Sequence, residues 1–228
     1  MNTFSVAVGA STACPDCTHT YQARDKTPSA DPRPEAVRTP YSARVLLVIA
    51  ATAQELAGAA GARTLVCGIG PHAAYSATEE AVAEGGATAV LHIGIAGARR
   101  GSGVPLLATV AGTEAIDCDG DSEPIAPDRR LLSAARRVLP DALALPIGTS
   151  ARVGGTTVTP VEAMEGYAVL SACMDEGVPA LELRVISNEI EEEDRELWRF
   201  DDAFAELARV TALVIPELDA LLTEIGRP

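Results

Sequence analysis

The chain has 228 residues, of which 47% are hydrophobic and 4% aromatic, and it carries a net charge of −14. This length and composition suit one domain with a sizeable core. The acidity, and the lack of a lysine- or arginine-rich cluster, argue against nucleic acid and against an anionic membrane surface as partners. No apolar run reaches the roughly 18 residues that a membrane helix needs, and no signal peptide is evident, so we predict a cytoplasmic protein.

Residues 1–42 differ from the rest because they are rich in proline and polar residues and lack a sustained apolar period. We predict a disordered or poorly ordered N-terminal extension there, and one folded domain over residues 43–228. Cys14 and Cys17, with His19 nearby, have the spacing of a metal-ligand pair, but no second pair at suitable spacing follows, so no metal is predicted. The five dispersed cysteines are typical of reduced thiols in the cytosol.

From residue 44 onwards, strand-like and helix-like patterns alternate. Apolar runs of strand length cover residues 45–51, 88–95, 106–110 and 180–186. Residues 149–159, rich in Gly, Thr and Val, predict a strand followed by a loop. Helical patterns cover residues 72–84, 128–138, 160–177 and 201–225, the last with a kink or break at Pro216. The alternation predicts an α/β domain with a central mixed, mostly parallel twisted sheet flanked by helices.

Ligand sites in such sheets form beyond the carboxyl ends of the strands, where three polar residues could carry chemistry. Glu55 could activate water as a general base, or stand exposed in the first turn of a helix. Glu165 could accept hydrogen bonds from a ribose diol beside Met164, or be a surface residue next to a core methionine. Asn188 could bind a ligand, or be a turn or helix-cap residue.

Arg184 lies inside a predicted buried strand. An unpaired buried charge is costly, so this arginine needs a partner. Glu55 is the expected partner if the ends of the first and last strands approach each other.

These segments occur in a specific order, and together they carry a family resemblance. The series is Ala51-x-x-x-Glu55, Gly68-Ile69-Gly70, Gly94-Ile95-Ala96-Gly97, Met164-Glu165 and Arg184-x-Ile186-Ser187-Asn188. It resembles the methylthioadenosine/S-adenosylhomocysteine nucleosidases of the purine nucleoside phosphorylase superfamily. The likeness covers about residues 44–222, and it is greatest to the futalosine hydrolase branch, through Ala163-Met164-Glu165-Gly166, Ser187-Asn188, Asp194-Arg195 and Trp198.

The resemblance implies a nucleoside phosphorylase-like fold and a nucleoside hydrolase domain over residues 43–228. It implies that Glu55 activates water, that Arg184 holds that end of the site, and that Met164 and Glu165 bind ribose. It further implies that a loop formed by Gly94, Ile95, Ala96 and Gly97 borders the sugar and base, with Ser187 and Asn188 beside it. Base contacts are placed loosely in residues 150–157.

Asn188 stands where adenine-cleaving relatives have aspartic acid. An amide can donate to O6 of a 6-oxopurine and accept from N7–H, which favours hypoxanthine as the leaving group. The Gly-Asp-Pro-x-Arg phosphate motif of the phosphorylases is absent from the sequence. The resemblance therefore implies hydrolysis of futalosine, in menaquinone biosynthesis, to hypoxanthine and dehypoxanthinyl futalosine.

Alternatives remain open at this point. They are an adenine-releasing nucleosidase acting on aminodeoxyfutalosine or methylthioadenosine, a phosphorylase, and a ligand-binding protein without turnover. Neither a metal nor an organic cofactor is implied, and a homo-oligomer is expected from the resemblance alone. Two features depart from the family pattern: only 12 residues separate Glu55 from Gly68, and residues 189–193 are unusually acidic.

Overall fold

The computed structural model describes residues 45–83, 85, 87–154 and 159–225. The predictions for residues 1–42, including Cys14 and Cys17, and for residues 155–157 lie outside this part of the chain. The strands are β1 Leu46–Ala50, β2 Arg63–Val66, β3 Ala89–Ala98, β4 Thr109–Asp117, β5 Leu143–Thr149, β6 Val161–Ala163 and β7 Ala180–Glu189. The helices are α1 Pro71–Ala83, α2 Arg129–Val138, α3 Gly166–Asp175 and α4 Phe200–Ile225, with short 3-10 helices at Glu55–Gly58 and Arg195–Leu197.

The described strands form one mixed sheet in the order β2-β1-β3-β6-β5-β4-β7. Strand β7 also pairs with β3, so that five strands close into a ring from which β1 and β2 extend. The β3–β6 and β4–β7 pairs are antiparallel, and the other pairs are parallel. The α/β fold with a mixed sheet flanked by helices is thus confirmed.

Two apolar layers hold the helices against the sheet. Side chains such as Leu46 and Val48 belong to the same buried cluster as residues of α2 and α4. Their neighbours Leu47 and Ile49 belong to the cluster that includes residues of α1 and α3. Because successive strand residues point to opposite faces, the continuous apolar run of β1 serves both layers. None of the helices described is long and apolar enough to cross a membrane.

One edge of β3 is shared between two partners, and this division positions the site. Strand β1 pairs with the first half of β3, up to His92, and β6 pairs with its end, at Gly97 and Ala98. Residues 93–96 have neither partner on that edge, whereas β7 pairs along the other edge throughout. Backbone groups in this gap are available to side chains and ligands.

Two sequence predictions of where strands and helices lie are wrong. The strand expected at residues 106–110 begins only at Thr109, because Leu107 has φ of 65°, a turn conformation that a strand does not adopt. The helix expected over residues 160–177 is divided into β6 and α3. A short apolar run does not distinguish buried strand from buried helix, and here tertiary pairing with β3 and β5 decides.

Strand β5 was missed because it contains Pro146, which cannot donate a ladder hydrogen bond. The structure accommodates the proline at an irregularity, where the β4–β5 register shifts between Gly112 and Glu114. Only the last residue of β5, Thr149, falls in the segment predicted as strand plus loop. The long C-terminal helix α4 agrees with the prediction in extent, but it continues through Pro216, so the break predicted there is wrong.

Candidate active site

A cavity of about 470 Å³ opens beside the divided edge of β3. The predicted site residues that line it are Glu55, Ile95, Ala96, Gly97, Met164, Glu165, Ser187 and Asn188. Arg184 is fully buried, and its guanidinium lies beside Gly94, so neither residue is part of the lining. Gly94 to Gly97 belong to strand β3, not to the loop that the resemblance implied, because β7 pairs with all four.

The Glu55 carboxylate is fixed at the gap between β1 and β6. Its Oε1 accepts from the backbone N–H of Ile95 at 3.1 Å. Ile95 lies in the part of β3 that pairs with neither β1 nor β6. Its Oε2 accepts from the N–H and from the hydroxyl of Thr52, both at 2.9 Å. A carboxylate has about four acceptor positions, so three donors hold its orientation and leave one position for a water or hydroxyl. The side chain is 5% exposed, which contradicts the alternative of an exposed helix-start glutamate.

Glu165 lies at the boundary between β6 and α3, where the chain turns into a helix. Residues at this position usually cap the first helical N–H groups with their side chains. Here the Thr149 hydroxyl accepts from the N–H of Tyr167 instead, and the Glu165 side chain makes no cap hydrogen bond. Its Oε1 accepts from the N–H of Gly70 at 3.0 Å, and its Oε2 lies 3.8 Å from Nη2 of Arg184. Burial raises the pKa of Glu165 above its usual value, although the guanidinium of Arg184 opposes the shift.

Arg184 is the centre of a buried charge cluster formed with Glu55, Glu165, Glu182 and His92. Its Nε donates to Oε1 of Glu182 at 2.8 Å, and both side chains are about 1% exposed. The direct partners are therefore Glu182 and Glu165, whereas the expected partner Glu55 contributes a weaker attraction. Glu182 lies on the same strand as Arg184, two residues earlier, so both side chains point to one face of β7. Of these carboxylates, Glu55 and Glu165 line the cavity, and Arg184 lies behind them.

His92 completes the cluster from strand β3. Its Nε2 accepts from Nη2 of Arg184, and its Nδ1 donates to the carbonyl of Ile49 at 3.3 Å. A guanidinium only donates and a carbonyl only accepts, so these partners require the neutral ring with its proton on Nδ1. Burial and the adjacent charge of Arg184 lower the pKa of His92 well below its usual value.

Gly94 permits the two sides of this cluster to meet. A Cβ at this position would overlap Nη1 of Arg184 and lie 2.8 Å from Oε1 of Glu55. Any larger residue would displace the guanidinium or the carboxylate. The Gly94 position in the family motif therefore has a steric reason in this chain.

Ser187 and Asn188, near the end of β7, present a fixed amide to the cavity. The Ser187 hydroxyl donates to Oδ1 of Asn188 at 2.8 Å, and Nδ2 of Asn188 donates to the carbonyl of Glu189 at 2.8 Å. A carbonyl cannot donate, so the amide nitrogen must be on the Glu189 side. One N–H and one acceptor position of Asn188 remain for a ligand. The residue lies within β7, which contradicts the alternative of a turn or helix-cap residue.

An aromatic wall of the cavity, formed by Trp198, Phe200 and Phe204, was not predicted. The rings of Trp198 and Phe200 are 5.3 Å apart between centroids, and those of Phe200 and Phe204 are 6.2 Å apart and nearly parallel. All three residues line the cavity, as do Val153 and Ile190. The sequence contains a signal for this wall, because the one tryptophan and two of the three phenylalanines fall within seven residues. Flat apolar groups are the ligands that such a wall suits.

The acidic segment after Asn188 is tied down by a surface charge cluster. Nε of Arg100 lies 2.6 Å from Glu189, and the backbone N–H of Arg100 donates to Glu191 at 2.8 Å. Nη1 of Arg99 lies 3.4 Å from Glu191, and Nη2 of Arg100 lies 3.8 Å from Glu192. The two arginines therefore pair with three of the four glutamates in residues 189–193, and they hold the loop that carries Ile190 to the cavity.

No group of three or more His, Cys, Asp or Glu side chains in the described ranges is arranged to hold a metal ion. Cys67, Cys118 and Cys173 are free thiols, as predicted for these three.

Comparison with known proteins gives the fold a context. No family model matches the chain. The methylthioadenosine/S-adenosylhomocysteine nucleosidase of Neisseria meningitidis, solved with methylthio-immucillin-A, superposes with a TM-score of 0.66 at 22% identity, over 77% of this chain and 98% of that one. The S-adenosylhomocysteine nucleosidase of Streptococcus pyogenes, solved with 5-methylthiotubericidin, gives a TM-score of 0.70 at 15% identity, over 79% and 98%.

The chain has the fold of these nucleosidases. The prediction of an α/β fold with a central mixed sheet flanked by helices is thereby confirmed, and the structural neighbours are nucleosidases. A futalosine hydrolase of Streptomyces coelicolor is 42% identical over 59 residues, which are 26% of this chain. The match spans only a quarter of that protein's length.

Proposed function

We propose that this protein is a purine nucleosidase that hydrolyses the N-ribosidic bond of futalosine, releasing hypoxanthine and dehypoxanthinyl futalosine. The observation that carries the proposal is the convergence of Glu55, Glu165 and Asn188 on one cavity. A water-orienting carboxylate, a diol acceptor and a purine-binding amide are the three groups that this reaction needs. The partial identity to a futalosine hydrolase supports the choice of substrate.

The charge of the cluster favours water over phosphate as the nucleophile. Three carboxylates, those of Glu55, Glu165 and Glu182, surround the single guanidinium of Arg184, and His92 is neutral. An incoming phosphate dianion would be repelled by the uncompensated carboxylates. The same excess of negative charge stabilises a ribosyl cation, which develops positive charge as the N-ribosidic bond breaks.

In the proposed mechanism, the bond between the anomeric carbon and N9 breaks towards an oxocarbenium-like transition state. Glu165 accepts hydrogen bonds from the ribose hydroxyls, and Arg184 holds that carboxylate in place. The electron pair of the broken bond leaves on hypoxanthine, and the Asn188 amide donates to O6, which stabilises the developing negative charge. The departing base takes a proton from solvent at N7, and this N7–H then donates to the amide oxygen of Asn188. A water held by Glu55 attacks the anomeric carbon and transfers a proton to the carboxylate.

The decisive experiment is to incubate the protein separately with futalosine, inosine, methylthioadenosine and aminodeoxyfutalosine, and to identify the released base. Release of hypoxanthine from futalosine without added phosphate is expected. Adenine as the main product would instead favour the alternative, an adenine-releasing nucleosidase acting on aminodeoxyfutalosine or methylthioadenosine. A strict requirement for phosphate would overturn hydrolysis.

Two variants test the roles of individual residues. Glu55→Gln should lower kcat by about 10²- to 10⁴-fold, because an amide cannot take the proton from water. Glu206→Gln is its control, since Glu206 pairs with Arg209 outside the cavity. Full turnover in Glu55→Gln would refute the water-activating role. Asn188→Asp should shift the preference towards adenine nucleosides, and an unchanged preference would refute the selection by Asn188.

The assembly state stays a prediction. The sequence resemblance implies a homo-oligomer, and sedimentation of the purified chain would measure it directly.

A further inference from the structure

Arg195 is the one cationic residue among the described residues that line the cavity. The other charged side chains of this lining are the carboxylates of Glu55, Glu162 and Glu165, and all of them are buried. Arg195, by contrast, is exposed, and it lies in the short 3-10 helix that follows β7. The cavity is therefore acidic in its buried part and carries a positive charge on the side that is open to solvent.

The guanidinium of Arg195 forms no ion pair within the part of the chain that the structure describes, although four acidic residues lie within three positions of it. Two of these neighbours bind backbone instead, because Glu192 accepts from the N–H of Asp194 and Asp194 accepts from the N–H of Glu196, both at 3.0 Å. The guanidinium lies over the ring of Trp198, 5.4 Å from the centroid. Stacking uses only the face of a guanidinium, so the N–H donors at its edge are left for a ligand.

Trp198 is a fixed platform for this arginine. Its Nε1 donates to the carbonyl of Glu192 at 3.0 Å, and its ring lies 5.3 Å from that of Phe200. The guanidinium and the three rings of the aromatic wall thus form a continuous row with a positive charge at one end. Such a row suits a flat apolar group that carries an anion at its outer end, and the planar fork of arginine donors matches a carboxylate.

This row is the wall of the cavity to which the proposed mechanism gives no role. Asn188 binds the purine there, and Glu165 binds the two ribose hydroxyls. A nucleoside held in this way has one further substituent, at its 5′ carbon. The aromatic wall and Arg195 are available to that substituent.

We infer that Arg195 is an anion-binding residue for the 5′ substituent of the substrate, and that this substituent is an aryl group bearing a carboxylate. The inference rests on the proposed function and deepens it, because futalosine has this chemistry: a benzoate is joined to its ribose through a short chain with a ketone. The carboxylate pairs with Arg195 while the ring lies against the aromatic wall. The buried carboxylates of the cavity repel the same anion, so charge fixes the direction in which the nucleoside enters.

The first test removes each partner of this ion pair in turn. It compares kcat/KM for futalosine and for its carboxyl methyl ester, in the wild type and in Arg195→Gln. We expect the ester in the wild type, and the acid in the variant, each to have a kcat/KM about 5- to 20-fold below that of the acid in the wild type, between the effect of an exposed ion pair and that of a charged hydrogen bond. Esterification should have little further effect in the variant, because its partner is already absent.

Two outcomes of this comparison would overturn the inference. Equal kcat/KM for the acid and the ester in the wild type would do so without any need for the variant to fold. An ester penalty that is as large in Arg195→Gln as in the wild type would assign the carboxylate to another residue. Arg199→Gln is the matched control, because it removes a nearby arginine that pairs with Asp202 and does not line the cavity. This control should keep the full preference for the acid.

Inosine 5′-phosphate distinguishes the other source of an anion at the 5′ position. It carries a charge but no ring, so its kcat/KM should be below that of futalosine. A higher kcat/KM for the nucleotide would show that the subsite binds phosphate and would overturn the aryl carboxylate. Failure of the wild-type protein to cleave any nucleoside would refute the proposed function and this inference with it, whereas equal cleavage of futalosine and its ester would refute the subsite alone.

Discussion

Strands β3 and β7 carry two clusters of basic and acidic residues that differ in their exposure to water. The buried cluster joins Arg184 and Glu182 of β7 to His92 of β3, all about 1% exposed or less. The surface cluster joins Arg99 and Arg100, just after β3, to glutamates at the end of β7, and the side chains of its closest pair are 55% and 42% exposed.

The difference shows how burial changes the contribution of similar ion pairs to stability. In the interior, each charge has lost its hydration, so every partner must be present and the geometry is unique. At the surface, water replaces a lost partner, and the pair serves mainly to tether a loop. Four predictions test this contrast, from the largest expected effect to the smallest.

The first prediction is that Arg184→Met severely destabilises the protein. Removal of the guanidinium leaves the carboxylates of Glu182 and Glu165 buried without their counter-charge, which costs about 3–5 kcal/mol in comparable cases. Urea denaturation monitored by circular dichroism measures the loss. A variant in which Glu182 is also replaced, Arg184→Met with Glu182→Leu, should recover part of the stability. A loss below about 1 kcal/mol for the single variant would contradict the assignment of Arg184 as the centre of the cluster.

The second prediction concerns the space that Gly94 provides. Gly94→Ala should cost about 1–3 kcal/mol of unfolding free energy and displace Arg184 or Glu55, so nucleosidase activity should fall more steeply than stability. Gly112→Ala is a suitable control, since its Cβ would meet only the end of the Ile147 side chain at 3.2 Å and ordinary contacts beyond. Equal effects of the two substitutions on activity would argue against a specific role for Gly94.

The third prediction uses the protonation state of His92. Its pKa is lowered in the folded protein, so the unfolded chain binds a proton more readily as the pH falls below about 6.5. The contribution of His92 to stability is complete above pH 6.5 and is lost progressively at lower pH. The raised pKa values of Glu165 and Glu182 act in the opposite direction at acidic pH, because the folded state then binds the extra protons.

The variant His92→Gln separates these effects. Glutamine can accept from Arg184 but does not titrate, so between pH 8 and 5 the wild type should lose stability relative to the variant. Parallel curves of unfolding free energy against pH for the two proteins would show that His92 does not titrate in this way.

The fourth prediction is the smallest, and it concerns the surface cluster. Arg100→Ala should change the free energy of unfolding far less than any buried substitution, and 0.5 M salt should reduce the difference further. A modest rise in KM is expected, since the tethered loop brings Ile190 to the cavity. A destabilisation comparable to that of Arg184→Met would remove the contrast between the clusters.

Much of the fold and part of the site could be predicted from the sequence because the signals are local. Strands β1, β3 and β7 are continuous apolar runs, and the residues after or near their ends carry the family motif. Strand β5 could not be predicted, since Pro146 is tolerated only through a register shift that depends on β4. Strand β6 is three residues long and is defined by its partners.

The parts of the site that were missed depend on tertiary structure. Glu182 and His92 meet Arg184 only because β3 and β7 are paired in one particular register. The aromatic wall is an exception, because its three residues lie close together in a sequence that has few aromatic residues, and this clustering is visible without the structure.

The closed ring of strands has a consequence for the order of folding during synthesis. Strand β3 ends near residue 98, but its pairing with β7 must wait until about residue 189 has emerged from the ribosome. Pairing over such a separation is entropically slow. Until β7 is synthesised, β3 and β4 lack the strand that lies between them, and the Arg184 cluster cannot form. The cavity is thus completed only by β7 and the residues that follow it, and a product terminated before β7 would present unpaired edges of β3 and β4 that favour aggregation.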